Sequence, residues 1–238
     1  VYWLLFPILL SAQPAPQADA PPPPRFEGSA EFSYVGTTGN SSTQTLGSGL
    51  ATKLRLDGWT IASKAAVVRN KDREAVKAQS TSFSTEAGRV VRERMSVVGK
   101  YEFLRDRFAG TSQRHTAEAG VAVDAFANDR HTLKVRGAAG YANEQRIGGS
   151  RLSTAIATTG VTYAFALSES SSFENESAAE FSLQDSADQR VNNVASLSAR
   201  LNSTFSLKVK HTVRWVKTPA PGFRKTDTIT AVALVAKF

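Results

Sequence analysis

The chain of 238 residues contains no cysteine, only three histidines and a single methionine. Without thiols there is no disulfide, no thiolate metal site and no cysteine to carry an N-terminal lipid. That composition is compatible with an oxidising compartment. Beyond the N-terminus the chain also lacks any apolar run of the ~20 residues that a membrane helix needs, so a helical membrane protein is excluded. Hydrophobic residues make up 41% and mean hydropathy is −0.24, averages that leave a β-barrel open because only alternate positions of its strands face lipid. Charge is unbalanced, with 29 Lys and Arg against 21 Asp and Glu, a net of +8. These cations are scattered singly, often between apolar neighbours, and no basic helix is present. The footprint of a nucleic-acid-binding protein is therefore missing.

At 25.6 kDa the chain is long enough for one large all-β domain. Residues 1–10 are almost wholly apolar, and Leu10-Ser11-Ala12 offers a small-residue cleavage site, so 1–12 read as the remnant of a signal peptide. Residues 13–25 form a Pro/Ala-rich periplasmic leader, too rich in proline for helix or strand. The folded unit is expected over 26–238.

From Phe26 onward the pattern has period two rather than 3.6. Phe205, Leu207, Val209, His211, Val213 and Trp215 alternate with Ser206, Lys208, Lys210, Thr212 and Arg214. Leu133, Val135, Gly137, Ala139 and Tyr141 oppose Lys134 and Arg136, and Phe26, Gly28, Ala30, Phe32 and Tyr34 oppose Glu27, Ser29, Glu31 and Ser33. Twelve such runs are expected, over 26–36, 43–57, 59–69, 74–88, 94–106, 113–126, 131–144, 151–167, 171–184, 190–202, 204–216 and 226–238. The run at 74–88, mostly Ser, Thr and Ala, has the poorest pattern. These lengths reach the ~9–11 residues of a tilted membrane strand and exceed the five or six usual in a soluble sandwich. The pattern predicts an all-β, transmembrane, antiparallel up-and-down barrel of a bacterial outer membrane.

Connections alternate in character along the chain. Asp57-Gly58, residues 91–93, Asn128-Asp129, Ser168-Glu169 and Asn202-Ser203 read as tight hairpin turns, while 70–73, 145–150, 184–189 and 217–225 are longer. With the N-terminus inside, every tight turn falls on the periplasmic side, as outer-membrane barrels require. Phe26, Trp59, Phe83, Phe126, Phe165, Phe173, Phe205 and Phe238 then form one aromatic girdle, and Tyr34, Tyr101, Phe103, Tyr141, Phe181 and Trp215 the other. From Phe205 to Trp215, a rise of ~3.3 Å per residue at ~40° tilt spans roughly 25 Å, the height of the apolar band.

The last run carries Thr230, Val232, Leu234, Ala236 and Phe238 on one face. An aromatic closing such a strand resembles the signal by which the barrel assembly machinery recognises its substrates, so Phe238 is expected to serve that role. Further motifs are Phe26-Glu27-Gly28-Ser29-Ala30-Glu31, Thr37-Thr38-Gly39-Asn40-Ser41, Tyr101-Glu102-Phe103 with Arg105-Asp106-Arg107-Phe108, and Gly137 through Tyr141. Pro219 to Gly222 followed by Thr226-Asp227 completes the set. In order and spacing, over nearly all of the chain after Arg25, these resemble the salt-stress-induced outer-membrane protein family (YdiY-like), a domain of unknown function. The resemblance implies an outer-membrane barrel linked to envelope stress and supplies no substrate or catalytic residue.

No catalytic constellation stands out. Some barrels of this size are phospholipases, but His211 lies on the apolar face of its run, opposite Ser206, and His115 and His131 lie near opposite ends of neighbouring runs. Three separated histidines make a poor metal site, and no cofactor is expected. Function therefore concentrates in the lumen. Lys53, Arg55, Lys64, Lys100, Lys134, Arg136, Arg200, Lys208, Lys210 and Arg214 should point inward, as should Glu27, Glu31, Glu102, Glu174, Glu176 and Glu180. Arg200, Lys208, Lys210 and Arg214 would form a basic wall; Glu27, Glu31, Glu174, Glu176 and Glu180 an acidic one. Opposed walls either staple a structural barrel shut or line a narrow, weakly anion-selective pore, and both readings stay open. The expected partners are outer-membrane lipid and lipopolysaccharide outside, and a small anionic solute within. The long connection 218–225 is a further candidate for contacts with surface partners.

Overall fold

The computed structural model describes residues 24–38, 43–72, 75–107, 109–149, 151–186 and 188–238. The expected signal segment, the leader up to residue 23 and the Gly39-Asn40-Ser41 turn lie outside the described residues. Twelve strands follow one another: β1 (Phe26–Thr38), β2 (Thr43–Leu56), β3 (Trp59–Asp72), β4 (Ala75–Arg92), β5 (Met95–Asp106) and β6 (Thr111–Ala127). The second half holds β7 (His131–Arg146), β8 (Arg151–Ala166), β9 (Ser171–Ser182), β10 (Gln189–Arg200), β11 (Phe205–Val216) and β12 (Thr226–Lys237). Each strand pairs antiparallel with the next, and β1 pairs with β12, so the sheet is a closed barrel. Closure removes both edges, and most strand residues find ladder partners on both sides, the far ends of β4 and β8 on one side only.

Directly opposed residues of antiparallel strands share a face, so one ring of partners shows which face is inside. Lys53 opposes Ala62, Ala62 opposes Glu86, Glu86 opposes Lys100, and Lys100 opposes Glu118. Glu118 opposes Gly140, Gly140 opposes Ile156, and Ile156 opposes Ser182. Charged and small residues thus line most of this ring, with the buried Ile156 the one large apolar side chain in it. The other face carries Phe32, 70% exposed, and Leu46, 75% exposed, together with Leu50, Val97, Val121, Val161, Leu197, Leu207, Val209 and Leu234. A water-soluble monomer rarely exposes apolar patches beyond a few hundred Å². A band of this extent around a closed barrel is the exterior of an outer-membrane protein.

The seam between β1 and β12 is completed by the last residue. Phe238 and Gly28 exchange backbone hydrogen bonds of 2.8 and 3.0 Å. The Phe238 ring lies over Gly28 so closely that a Cβ there would come within 2.3 Å of it. Gly28 is thus the absence of a side chain that lets the ring cover the seam.

Two expectations need correction. The strand expected over 74–88 is the longest of all, 18 residues, and its turn falls at Glu93-Arg94. Ser and Thr carry little hydrophobic signal, yet pairing on both sides with β3 and β5 holds them extended. That lengthening lifts Phe83 away from the terminal girdle: it opposes Phe103 on β5, which belongs to the other end. The two rings therefore share one level.

Candidate functional site

The lumen has a mouth beside Phe26 and Phe238, here the terminal mouth, and a far mouth at the opposite end of the strands. Around the ring the order is β1, β12, β11 and so on down to β2. Strands six places apart therefore face each other across the bore. Among the described residues two ion pairs join such strands. Lys64 on β3 reaches Glu176 on β9 at 3.6 Å, near mid-height. Arg214 on β11 reaches Asp106 on β5 at 2.5 Å, at the far mouth. The two diameters are two strands apart in a ring of twelve, so viewed down the axis they cross at about 60° if the ring is regular. What one bridge leaves open, the other narrows.

Shorter chords brace the wall between these bridges. Arg136 on β7 binds Glu118 on β6 at 2.7 Å and Glu86 on β4 at 3.1 Å. Glu118 also accepts a 2.7 Å hydrogen bond from the Thr158 hydroxyl on β8. Gly160 opposes Arg136 on the same face, which leaves room for that guanidinium to lie along the wall. Lys100 and Glu102, neighbours on the inner face of β5, pair at 2.7 Å. Toward the far mouth Arg114 on β6 binds Glu180 on β9 at 2.5 Å, and Arg190 on β10 binds Glu144 on β7. Asp188 joins Arg146 at 3.5 Å and Arg190 at 3.4 Å. Ionised groups this close, with little water, are held only because each finds an opposite charge and a hydrogen bond.

The residues expected to form two walls are spread over the height of the bore. Arg200 turns at the terminal mouth to donate to the Glu169 carbonyl at 2.8 Å. Lys208 lies one inward position from Lys210, which reaches over β12 to Glu31 at 3.1 Å. The small residues Ala231 and Ala233 oppose these lysines and leave that path clear. Arg214 is drawn across to Asp106. Of the acidic set, Glu27 pairs with Arg55 at 2.7 Å, Glu176 spans the bore, and Glu180 belongs to the far cluster. Glu174 faces the terminal part of the lumen, opposite Ser196. Most of these groups thus meet a partner, each at its own height. Lys134 pairs loosely with Asp124 at 3.5 Å, and Lys53 and Lys208 have no ion-pair partner among the described residues.

Asp106, Arg114, Glu118, Glu144, Arg146, Asp188 and Arg190 were not among the expected lumen residues. Alternation carried the signal for some of them, since Arg114, Thr116 and Glu118 share one parity on β6. Nothing local marks Asp106 as the partner of a residue 108 positions away.

The histidines all lie on the outer surface. His211 hydrogen-bonds the Thr230 hydroxyl at 2.9 Å, and His115 the Tyr101 hydroxyl at 2.8 Å. His131 stacks on Phe165, centroids 4.4 Å apart, and meets the Tyr163 hydroxyl at 2.7 Å. These rings join the aromatic girdles, where a polar tip and an apolar body suit the interface. Among the described residues no group of three or more His, Asp or Glu is placed to hold a metal ion.

Solved structures of the same architecture include the NanC porin, at TM-score 0.61 and 8% identity, covering 88% of this chain and 100% of that one. An outer-membrane channel from Pseudomonas putida F1 is similar at TM-score 0.54 and 10% identity, covering 90% and 95%. The translocator domain of the autotransporter NalP from Neisseria meningitidis is similar at 0.51 and 12%, covering 89% and 88%. At such identities the likeness is one of fold, and it joins channels to a translocator. No curated protein matches the chain. A family model does, over residues 30–238, and the chain belongs to that family, DUF481, described as a protein of unknown function.

Proposed function

We propose that the chain is a narrow outer-membrane pore for small solutes, with a slight preference for anions. The observation that carries this reading is the pairing of charges inside the barrel. A lumen lined by ionised side chains is hydrated, and the Lys64–Glu176 and Arg214–Asp106 bridges divide it without filling it with apolar packing. The anion preference rests on the terminal mouth, where Lys53 and Lys208 stand without ion-pair partners beside the loosely held Lys134. Fold likeness to a porin and to an outer-membrane channel supports the same reading. Reconstitution in planar bilayers tests it: small stepwise conductance with a reversal potential displaced toward that of the anion is expected. Membranes that stay closed at every protein concentration would exclude a pore.

The same bridges favour a second reading, a non-conducting barrel that serves structure or interaction, which closed membranes would select. The likeness to the salt-stress-induced family extends the proposal to a role in envelope stress. In that case deletion strains should lose growth at high salt and regain it with the wild-type chain. Phe238 is proposed to be read by the assembly machinery; Phe238→Ala should then lower the amount of folded barrel in the outer membrane.

A further inference from the structure

The connection between β11 and β12 does not project from the barrel. Its neck is tied by a 2.8 Å hydrogen bond from the Val216 amide to the Lys225 carbonyl. Between these lie two prolines, Pro219 and Pro221, which restrict the backbone, then Gly222 at φ +83°. The Phe223 amide donates to the Ala220 carbonyl at 3.0 Å, so the tip is a closed turn presenting Ala220 and Phe223 together. Ala220 is only 4% exposed.

The surface that covers this tip is Gly110, in the connection between β5 and β6. A Cβ at Gly110 would sit 2.8 Å from the Phe223 ring and 3.0 Å from the Ala220 Cβ. Gly110 also has φ +79°, so glycine meets two demands there, the left-handed backbone and the close approach. Its carbonyl accepts from the Ile147 amide at 2.8 Å, which fixes it to the next far connection. In the ring order the β11–β12 connection and the β5–β6 connection lie half a circumference apart. Contact between them requires residues 217–225 to cross the far mouth. Directly beneath, Arg214 and Asp106 join the same two sides.

We propose that residues 217–225 are a strap that closes the far mouth, and that the pore opens when Ala220 and Phe223 lift from Gly110. This rests on the reading of the barrel as a pore. One small and one aromatic side chain of the strap rest on a glycine, while its base is held by Lys217, which donates to the Gln189 and Ser186 carbonyls at 2.9 Å each. The tied neck confines the movement to the segment beyond Val216 and Lys225.

Because the chain has no cysteine, a Gly110→Cys, Ala220→Cys pair gives an unambiguous cross-link. The 3.0 Å separation of the Cβ positions is just short of the roughly 3.5–4.5 Å of a disulfide, within reach of a small adjustment. Two further variants leave the left-handed backbone alone: Phe223→Ala, and a chain in which residues 218–224 are replaced by a short Gly-Ser link. Heat-modifiable gel migration reports that each barrel is folded. The oxidised pair should show open probability at least tenfold below its reduced form, and the shortened strap a several-fold rise over wild type. Phe223→Ala should fall between. If wild type conducts and neither oxidation nor shortening alters its opening, the strap is not a gate and the pore reading stands. Failure of the folded pair to cross-link even with Phe223→Ala added, which removes the ring that a Cβ at Gly110 would crowd, would overturn the docked contact. If the shortened chain is as silent as wild type, the pore reading falls and the gate falls with it.

Discussion

At the far mouth, Arg114, Arg146, Arg190 and Arg214 are each matched by a carboxylate among Asp106, Glu144, Glu180 and Asp188, and most of these side chains are largely buried. At the terminal mouth Lys53, Lys134 and Lys208 face Glu27, Asp124 and Glu174, with only loose or no pairing for the lysines. Arginine supplies the cations of the paired far cluster, whereas at the terminal mouth Arg55 holds Glu27, Arg200 holds a backbone carbonyl, and the lysines are left loose. The planar guanidinium binds two carboxylates in fixed geometry and so braces strands that do not touch. A lysine ammonium on its flexible stem stays hydrated and contributes a field rather than a joint. One end of the bore therefore holds shape, and the other, on the proposed reading as a pore, biases which ions enter.

The largest effect should come from Arg114→Ala, which leaves Glu180 only the longer 3.7 Å contact to Arg190. Loss of one partner from a buried pair costs roughly 3–5 kcal/mol, whereas Lys208→Ala should lie within about 0.5 kcal/mol of wild type. Denaturant unfolding of the barrel refolded in lipid vesicles measures both, and equal costs would erase the distinction between the mouths. Next in size is selectivity. Lys53→Glu with Lys208→Glu should turn the proposed anion preference into a cation preference of several-fold, read from the reversal potential in a salt gradient. Arg146→Glu at the far mouth should instead lower stability with little change in that potential. The smallest effect is screening. Raising salt from 0.1 to 1 M shortens the Debye length from about 10 to about 3 Å, so any anion preference of the wild-type chain should fade toward unity. A preference that survives 1 M salt would locate it in closely paired groups rather than in the exposed lysines.

Much of the barrel was legible along the chain because alternation is a local property. Strand starts at Thr43, Trp59, His131, Arg151 and Ser171 follow from where the period-two pattern begins, and the tight turns keep its phase. The strand from Ala75 to Arg92 was legible only in part, since Ser and Thr suit either face and leave its end unmarked. Its true length moved Phe83 from one girdle to the level of Phe103. The inward parity of Lys210, Arg214, Glu31 and Glu176 was readable in the same way. Which of them meets which was not, because height in the bore depends on the register of every strand between.

By itself, then, the sequence determined the class of fold, the side of the wall that most charged and apolar strand residues face and the closing of the sheet by a strand ending in an aromatic ring. These depend on a two-residue period and on turn residues, both written locally. Only the tertiary structure decided that Lys64 meets Glu176, that Arg214 meets Asp106, and that Ala220 and Phe223 cross the mouth to rest on Gly110. Contacts between strands six places apart exist only once the ring has closed. No spacing along the chain encodes a diameter.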